Sequence, residues 1–217
     1  RSIDLNPFAR IGIELEDMEF IHLFLMHMLL KGECSFTKED YLAAKENEKN
    51  GGRMNILAID PGNIESAWCC ISPNIITCGL RPVNFAKEAN ECVLKKIGLY
   101  PADVVVIERV ASYGMAVGKE VFETCEWIGR FTEAAEQCNI PVAYVYRIEE
   151  KTHICHDSRA KDANIHRALI DRFAKHDLKT GRGTKKNPDW FYGFHDDIWS
   201  AYAVGITFIE TKAEGNA

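Results

Sequence analysis

From Met54 onward the apolar positions fall into short runs separated by turn residues and by stretches with helical spacing. Ile56 to Ile59 reads as a buried strand, and a turn at Pro61-Gly62 leads to a second strand over Ser66 to Ser72. Pro73-Asn74 predicts a hairpin turn into a third strand, Ile75 to Leu80. Asn84 to Ile97 reads as a helix, and Val104 to Ile107 is a wholly apolar strand run. Val117, Val121, Cys125, Ile128 and Ala135 recur at helical spacing and predict a long helix over Val117 to Cys138. Val142 to Tyr146 supplies a fifth strand, Lys161 to His176 an amphipathic helix and Lys179 to Pro188 a loop. A last helix runs from about His195 to Ile209. Three strands in succession, then alternating helices and strands, describe a mixed α/β sheet with antiparallel strands on one side and helices flanking it.

The first 53 residues read differently. Glu46 to Arg53, ENEKNGGR, is a flexible connector, and Met54 directly after it has the look of a natural start. Ahead of it, Leu15 to Leu30 and Thr37 to Asn47 predict two helices, the second capped by Thr37. The expectation is a small helical N-terminal extension and linker over 1–53, joined to one domain over 54–217. The extension carries no chemical pattern and suits partner docking better than catalysis. No internal repeat or low-complexity tract occurs in the chain.

Composition narrows the class. With 47% hydrophobic and 27% charged residues among 217, the chain can bury a core, which excludes wholesale disorder. The longest apolar run, Phe20 to Leu30, contains His22 and His27 and falls short of the roughly 20 residues a membrane span needs. The chain opens with Arg1 and shows no signal pattern. Eight cysteines without regular spacing, two of them adjacent at Cys69 and Cys70, indicate reduced cytosolic usage rather than a secreted disulfide scaffold. The net charge of −6 argues against a polyanionic partner until its distribution is considered. Residues 147–188 hold 11 Lys and Arg against 6 Asp and Glu, with four histidines besides, so a basic patch stands inside an acidic protein.

Three acids occupy places where chemistry collects. Asp60 ends the first strand ahead of Pro61-Gly62, Glu108 ends the run from Val104 to Ile107, and Asp197 stands beside Asp196 at the start of the last helix. In open α/β sheets, functional groups gather at the carboxyl ends of strands. Carboxylates brought together there repel unless a cation neutralises them, and oxygen ligands suit Mg²⁺ or Mn²⁺. Two such ions roughly 4 Å apart activate a water and stabilise a leaving oxygen in phosphodiester hydrolysis. Taken singly, an acid ending a strand is most often a turn former.

The segments ILAIDPG, VVVIE and HDDIWSAYAVG, in that order, resemble the RuvC-type Holliday-junction resolvases of the ribonuclease H-like superfamily. The likeness is strongest to phage-type members, through ASYGMAVGKEVFETCEWIGRF and YRIEEKTHICHDSRAKDANIHRALIDRF, and covers Met54 to Ile209. The resemblance implies an α/β, ribonuclease H-like mixed five-stranded sheet flanked by helices. It implies a metal-dependent endonuclease, using Mg²⁺ or Mn²⁺ in two ions, that cuts branched DNA as a homodimer in the cytoplasm of a bacterial host or from a phage genome. No membrane and no nucleotide cofactor enter. Carried over by position, Asp60, Glu108 and Asp197 hold the metal. One departure is Ser200, where many resolvases place another acid three residues after the position of Asp197. Asp196 is the nearest substitute, although adjacent helical residues point about 100° apart, and His195 is another candidate.

The basic stretch suits this expectation. Lys161 and Lys151 are the candidates for phosphate contact or transition-state stabilisation, with Lys161 counted among the catalytic residues and Arg159 beside them. Arg182, Lys185 and Lys186 lie in the glycine-containing loop and are candidate phosphate grips, against a solvated connector. Trp190, Phe191, Tyr192 and Phe194 can stack on an unpaired base or pack the final helix, the latter being the commoner use.

Other motifs fail on spacing. Ser112 to Glu120 follows a strand and opens a helix, but Glu120 stands where a P-loop needs Ser or Thr. His153, Cys155 and His156 lack a completing pair for zinc. An actin-like ATPase would need a second glycine-rich phosphate turn, which the later strands do not offer. The remaining alternative is a catalytically silent nucleic-acid-binding or assembly protein that keeps the fold, supported by Ser200 and the acidic net charge.

Overall fold

The computed structural model describes residues 54–71, 80, 82–112, 114 and 116–215, the last four by backbone alone. Two compact units divide the chain, Arg1–Arg53 with Asn74–Gly79 and Met54–Pro73 with Leu80–Ala217, and every described residue belongs to the second. The helices expected at Leu15 to Leu30 and Thr37 to Asn47 lie outside the described residues, as does the expected strand Ile75 to Leu80 but for Leu80 itself.

Five strands form one sheet: β1 (Ile56–Asp60), β2 (Glu65–Ile71), β3 (Pro82–Ala89), β4 (Val104–Arg109) and β5 (Val142–Tyr146), in the order β3-β2-β1-β4-β5. β3, β2 and β1 pair antiparallel, while β1, β4 and β5 run parallel. Helices α1 (Asn90–Lys96), α2 (Lys119–Gln137), α3 (Arg147–Cys155), α4 (Asp162–Phe173) and α5 (Ile198–Gly215) complete the unit.

Strand pleating sorts the core into two layers. Ile56, Ala58, Val104 and Val106 face α5, together with Ala67, Cys69 and Ile71. Leu57, Ile59, Val105 and Ile107 face the other way, onto Ile128, Phe131 and Ala135 of α2 and Val93 of α1. Helix α5 is buried on nearly all sides, through Ile198, Trp199, Ala201, Tyr202, Ala203, Val204, Ile206 and Phe208. Gly205 lets it approach the sheet: a Cβ there would stand 2.4 Å from Ile71 Cδ1 and 3.1 Å from Ala58 Cβ.

Two elements correct the sequence expectation. Residues 82–89, taken largely into a helix over Asn84 to Ile97, form strand β3, and the helix is confined to Asn90–Lys96. The sequence PVNFAKEA is rich in helix formers, yet pairing with β2 from Glu65↔Ala89 to Ile71↔Pro82 overrides that propensity. Its Lys and Glu suit an edge strand, which charge protects from further pairing. The second correction is α3, which begins directly after β5 where no helix was expected. Glu149 Oε2 accepts from the backbone N–H of Tyr146 at 2.6 Å and fixes its start.

No helix among the described residues is long and apolar enough to cross a membrane. The described cysteines, Cys69, Cys70, Cys92, Cys125, Cys138 and Cys155, are all free thiols.

Candidate active site

The pleat that builds the core also builds the site. Asp60 continues the face of Ile56 and Ala58, and Glu108 continues that of Val104 and Val106, so both carboxylates emerge on the α5 side. Parallel register sets Ile59 opposite Ile107, which makes Asp60 and Glu108 neighbours at the carboxyl ends of adjacent strands. Each carboxyl bears on the ionisation of the other. Asp197 comes from the turn into α5, close enough for its charge to bear on Asp60.

Burial pushes the Asp60 carboxyl well above the ordinary carboxylate range, and the negative charge of Glu108, then that of Asp197, pushes it further. Burial also raises Glu108, opposed by the Arg147 guanidinium. A divalent cation, were one bound, would favour the ionised form of both carboxyls. The donors are hard oxygens, the ligand chemistry that suits Mg²⁺ or Mn²⁺ in general. Among the described residues, no group of three or more His, Cys, Asp or Glu side chains is placed so that it could hold a metal ion.

Two resident cations hold these acids instead. Lys87 of β3 places Nζ 2.8 Å from Asp197 Oδ2, a bond that raises the lysine's pKa. Arg147, the first residue of α3, reaches Glu150 Oε2 at 2.7 Å, Asp162 Oδ1 at 2.7 Å and Glu108 Oε2 at 3.8 Å. Glu150 is fully buried, and burial followed by the charge of Glu108 raises its pKa well above normal. The hydrogen bond from Arg147 instead lowers Asp162.

Neither Lys87 nor the Arg147–Glu150 pair was found from the sequence. The available signal was position: Arg147 directly follows a parallel strand beside the one whose penultimate residue is Glu108, and Glu150 lies one helical turn on, at i, i+3. Lys87 was hidden by the mistaken helix.

The other predicted residues divide between the acid pair and the periphery. Lys151 is half-buried, and its charge acts on Glu108. Lys161 is exposed at the start of α4, its backbone N–H donating to Asn164 Oδ1 at 2.8 Å, and Arg159 is exposed beside Asp157. Asp196 is paired with His195 Nδ1 at 2.9 Å and is exposed, and Ser200 lies within the first turn of α5. His153 is held by Glu210 at 2.7 Å.

Arg182, Lys185 and Lys186 are exposed on a loop that is tightly built. Thr184 and Asn187 exchange backbone hydrogen bonds of 2.9 and 3.1 Å across its tip, and Gly183 pairs with Pro188. Its base is the buried carboxylate of Asp189, which accepts from the backbone N–H groups of Lys175, His176, Asp177 and Trp190 at 2.7–2.9 Å. Burial alone would raise the Asp189 carboxyl, but these N–H groups, led by that of Asp177, hold it down to about 2. Asp189→Asn would turn an amide toward these donors and should destabilise the protein by roughly 2–4 kcal/mol. Urea unfolding measures it, and a loss below about 0.5 kcal/mol would remove Asp189 as the loop's anchor.

The aromatic run is core. Phe191 and Phe194 are fully buried, their ring centroids 5.1 Å apart, and Phe191 lies 4.5 Å from Trp199. Trp190 Nε1 donates to Tyr202 Oη at 3.2 Å, and only Tyr192 of the four is exposed.

Comparison with known proteins separates the chain into two parts. Residues 1–50 match the family model for glutamate-cysteine ligase. Over 50 residues the chain is 44% identical to the glutathione biosynthesis bifunctional protein GshAB of Listeria monocytogenes, covering 23% of this chain and 6% of that protein. A glutamate–cysteine ligase of Pseudomonas aeruginosa is 38% identical over 58 residues, covering 24% of this chain and 11% of its own length. The chain therefore spans only a small fraction of the curated relatives it matches. Among solved structures, Thermus thermophilus RuvC superposes with a TM-score of 0.53 at 14% identity, over 75% of this chain and 97% of that one. T. thermophilus RuvC in complex with a Holliday junction substrate gives 0.56 at 12% identity, over 75% and 96%. The mixed five-stranded sheet and its flanking helices thus have the ribonuclease H-like fold of the RuvC-type resolvases.

Proposed function

We propose that this protein is a divalent-metal-dependent endonuclease that cuts branched DNA, with Holliday junctions as the substrate class. The observation that carries the reading is the Asp60–Glu108 pair at the ends of adjacent parallel strands, with Asp197 alongside. The RuvC-type fold supports it, and the solved relative bound to a Holliday junction supplies the substrate class.

Asp60, Glu108 and Asp197 would hold Mg²⁺ or Mn²⁺, two ions in the sequence expectation. Bound there, the metal supplies Lewis-acid activation of a water and charge stabilisation at the phosphate. The chain's own residues set the rest. Burial beneath α5 keeps the acid pair on the sheet's rim, and Lys87 tethers Asp197 toward it. Lys151 adds positive charge beside Glu108, where negative charge develops on a phosphate. Lys161, Arg159, Arg182, Lys185 and Lys186 are exposed and would grip the backbone of the junction arms, while Asp196 turns toward His195. A homodimer in the cytoplasm, of a bacterial host or phage-encoded, completes this reading, and the free thiols of the described cysteines suit a reducing compartment.

Ligase chemistry has support only from residues 1–50, and none of the acids gathered at the sheet's edge lies in that stretch. A silent junction-binding protein is the second reading, favoured by Ser200 and by the cations already engaging Asp197 and Glu108. Cleavage of a labelled four-way junction against linear duplex, with Mg²⁺, Mn²⁺ or EDTA, separates the two. Paired nicks that need metal and are confined to the junction are expected. Binding without cutting under either metal would establish the silent reading.

A further inference from the structure

Asp60 is the last residue of β1 and stands opposite Ala67 of β2. Between the two strands lies the turn Pro61-Gly62-Asn63-Ile64. Ser66, next to Ala67 along β2, faces the other side of the sheet, toward α1. There its hydroxyl and the amide of Asn90, the first residue of α1, close on the turn. The backbone N–H of Gly62 donates to Ser66 Oγ at 3.1 Å, and Ser66 Oγ donates to Asn90 Oδ1 at 2.6 Å. Asn90 Nδ2 donates to the Gly62 carbonyl at 2.9 Å, and the Asn90 backbone N–H to the Ile64 carbonyl at 3.2 Å. Both backbone polar groups of Gly62 are thus held in one closed ring.

The ring is not explained by the helix it touches. Asn is a favoured N-cap, yet α1 has Ala89 at that place with no side-chain cap bond, and the Asn90 amide is turned to Gly62 instead. Asn90 is 0% and Ser66 1% exposed. Burying an amide and a hydroxyl is unfavourable where apolar side chains would pack, and the hydrogen bonds of the ring offset that cost while selecting one conformation of the turn. The turn is close-packed besides: a Cβ on Gly62 would stand 2.3 Å from the Glu65 carbonyl oxygen.

We propose that Ser66 and Asn90 are positioning residues for the acid site: by clamping both backbone groups of Gly62 from behind the sheet, they hold the turn after Asp60 and fix the direction in which its carboxylate leaves β1. This rests on the nuclease reading, in which Asp60 is a catalytic acid. Neither side chain touches substrate, because both are buried on the face of the sheet opposite the acids. The backbone ladder from Ile56↔Ile71 to Asp60↔Ala67 passes through neither side chain, so the strands survive without the clamp. What its loss frees is the turn, and a misplacement of about 1 Å at a reacting group costs on the order of a hundredfold in rate.

Ser66→Ala, Asn90→Ala and the double variant test this in the full chain, well below their melting temperatures. With saturating four-way junction and Mg²⁺, kcat should fall by about thirty- to a hundredfold in each single variant, while junction binding stays within about twofold of wild type. Because the two side chains act as one ring, the double variant should lose no more than about threefold beyond the slower single variant. Cleavage within about threefold of wild type in a folded variant, losses that multiply in the double variant, or an equal loss in binding would each overturn the assignment. Amide exchange by NMR gives a readout independent of cleavage: the Gly62 N–H should exchange at least about tenfold faster in Ser66→Ala, with the Asp60 backbone resonances displaced and those of β4 unmoved. Unchanged Gly62 exchange or unmoved Asp60 resonances would also overturn it. Ser66→Ala, which removes a single hydroxyl, decides even where Asn90→Ala does not fold, and an unfolded Ser66→Ala protein would make the ring a folding element rather than a positioning one. If no protein, wild type included, cuts a junction under Mg²⁺ or Mn²⁺, the nuclease reading fails, and the Gly62 exchange and Asp60 resonances alone decide the clamp.

Discussion

Asp60→Asn should reduce junction cleavage by at least about a thousandfold, on the order of 4 kcal/mol of transition-state stabilisation, while junction binding persists. The same substitution should stabilise the metal-free protein. Burial and the neighbouring Glu108 raise the Asp60 carboxyl, so the folded state holds its proton more tightly than the unfolded chain. Stability from such a group is greatest below the ordinary carboxylate range and falls as pH rises through the raised folded value. Asn cannot ionise, so the variant should lose less stability than wild type as pH rises above the ordinary carboxylate range. Its melting temperature at neutral pH should exceed that of the metal-free wild type by at least about 2 °C. Mg²⁺ should then raise the wild-type melting temperature and leave the variant nearly unmoved, because a ligand stabilises only the state that binds it. Nuclease assay and thermal melts at several pH values check both halves. Wild-type cleavage by Asp60→Asn would remove Asp60 from the chemistry, and a lower melting temperature across the range would mean that the carboxylate is a structural anchor.

Phe191→Ala should destabilise the protein by roughly 3–5 kcal/mol. Its ring is 0% exposed and meets Phe173, Phe194, Trp199 and Tyr202, which join the loop after α4 to the first turns of α5. Removing it opens a cavity that surrounding rings cannot fill without leaving their rotamers. For a domain of this size the midpoint of thermal unfolding should drop by about 2–4 °C for each kcal/mol. Asp197 enters the site through the turn that Phe191 and Phe194 pack, so cleavage should fall faster with temperature than in wild type. Tyr192→Ala, at an exposed neighbouring position, should stay within about 0.5 kcal/mol. A Phe191→Ala protein as stable as wild type, by urea or thermal unfolding, would mean that the ring is free for a base after all.

What the sequence could express was whatever depends on near neighbours. Val104 to Ile107 is apolar at every position, which only a strand buried on both faces requires, and β4 lies there. The spacing of Ile128 and Ala135 in the long helix likewise places one face on the core. Because strand faces alternate, the places of Asp60 and Glu108 at strand ends were already enough to put both on one side of the sheet once β1 and β4 paired. The acid pair was legible for that reason.

Other features belong to contacts between segments far apart in the chain. Residues 82–89 carry Ala, Lys and Glu that suit a helix in isolation, and become a strand because β2 offers a ladder of backbone partners. Lys87 reaches Asp197 only as a consequence of that ladder. The hold of Arg147 on Glu108 needs β5 beside β4, and that of Asp189 on the 175–177 backbone needs the loop closed first. The aromatic run had two uses open to it, and the rings around Phe191 chose packing. Thus the sequence by itself determined β1, β2, β4, β5, the long helix and the strand-end places of Asp60 and Glu108, since period and run length are local properties. The tertiary structure alone decided which cations those acids meet, because a charge finds its partner through the fold and not through its neighbours in the chain.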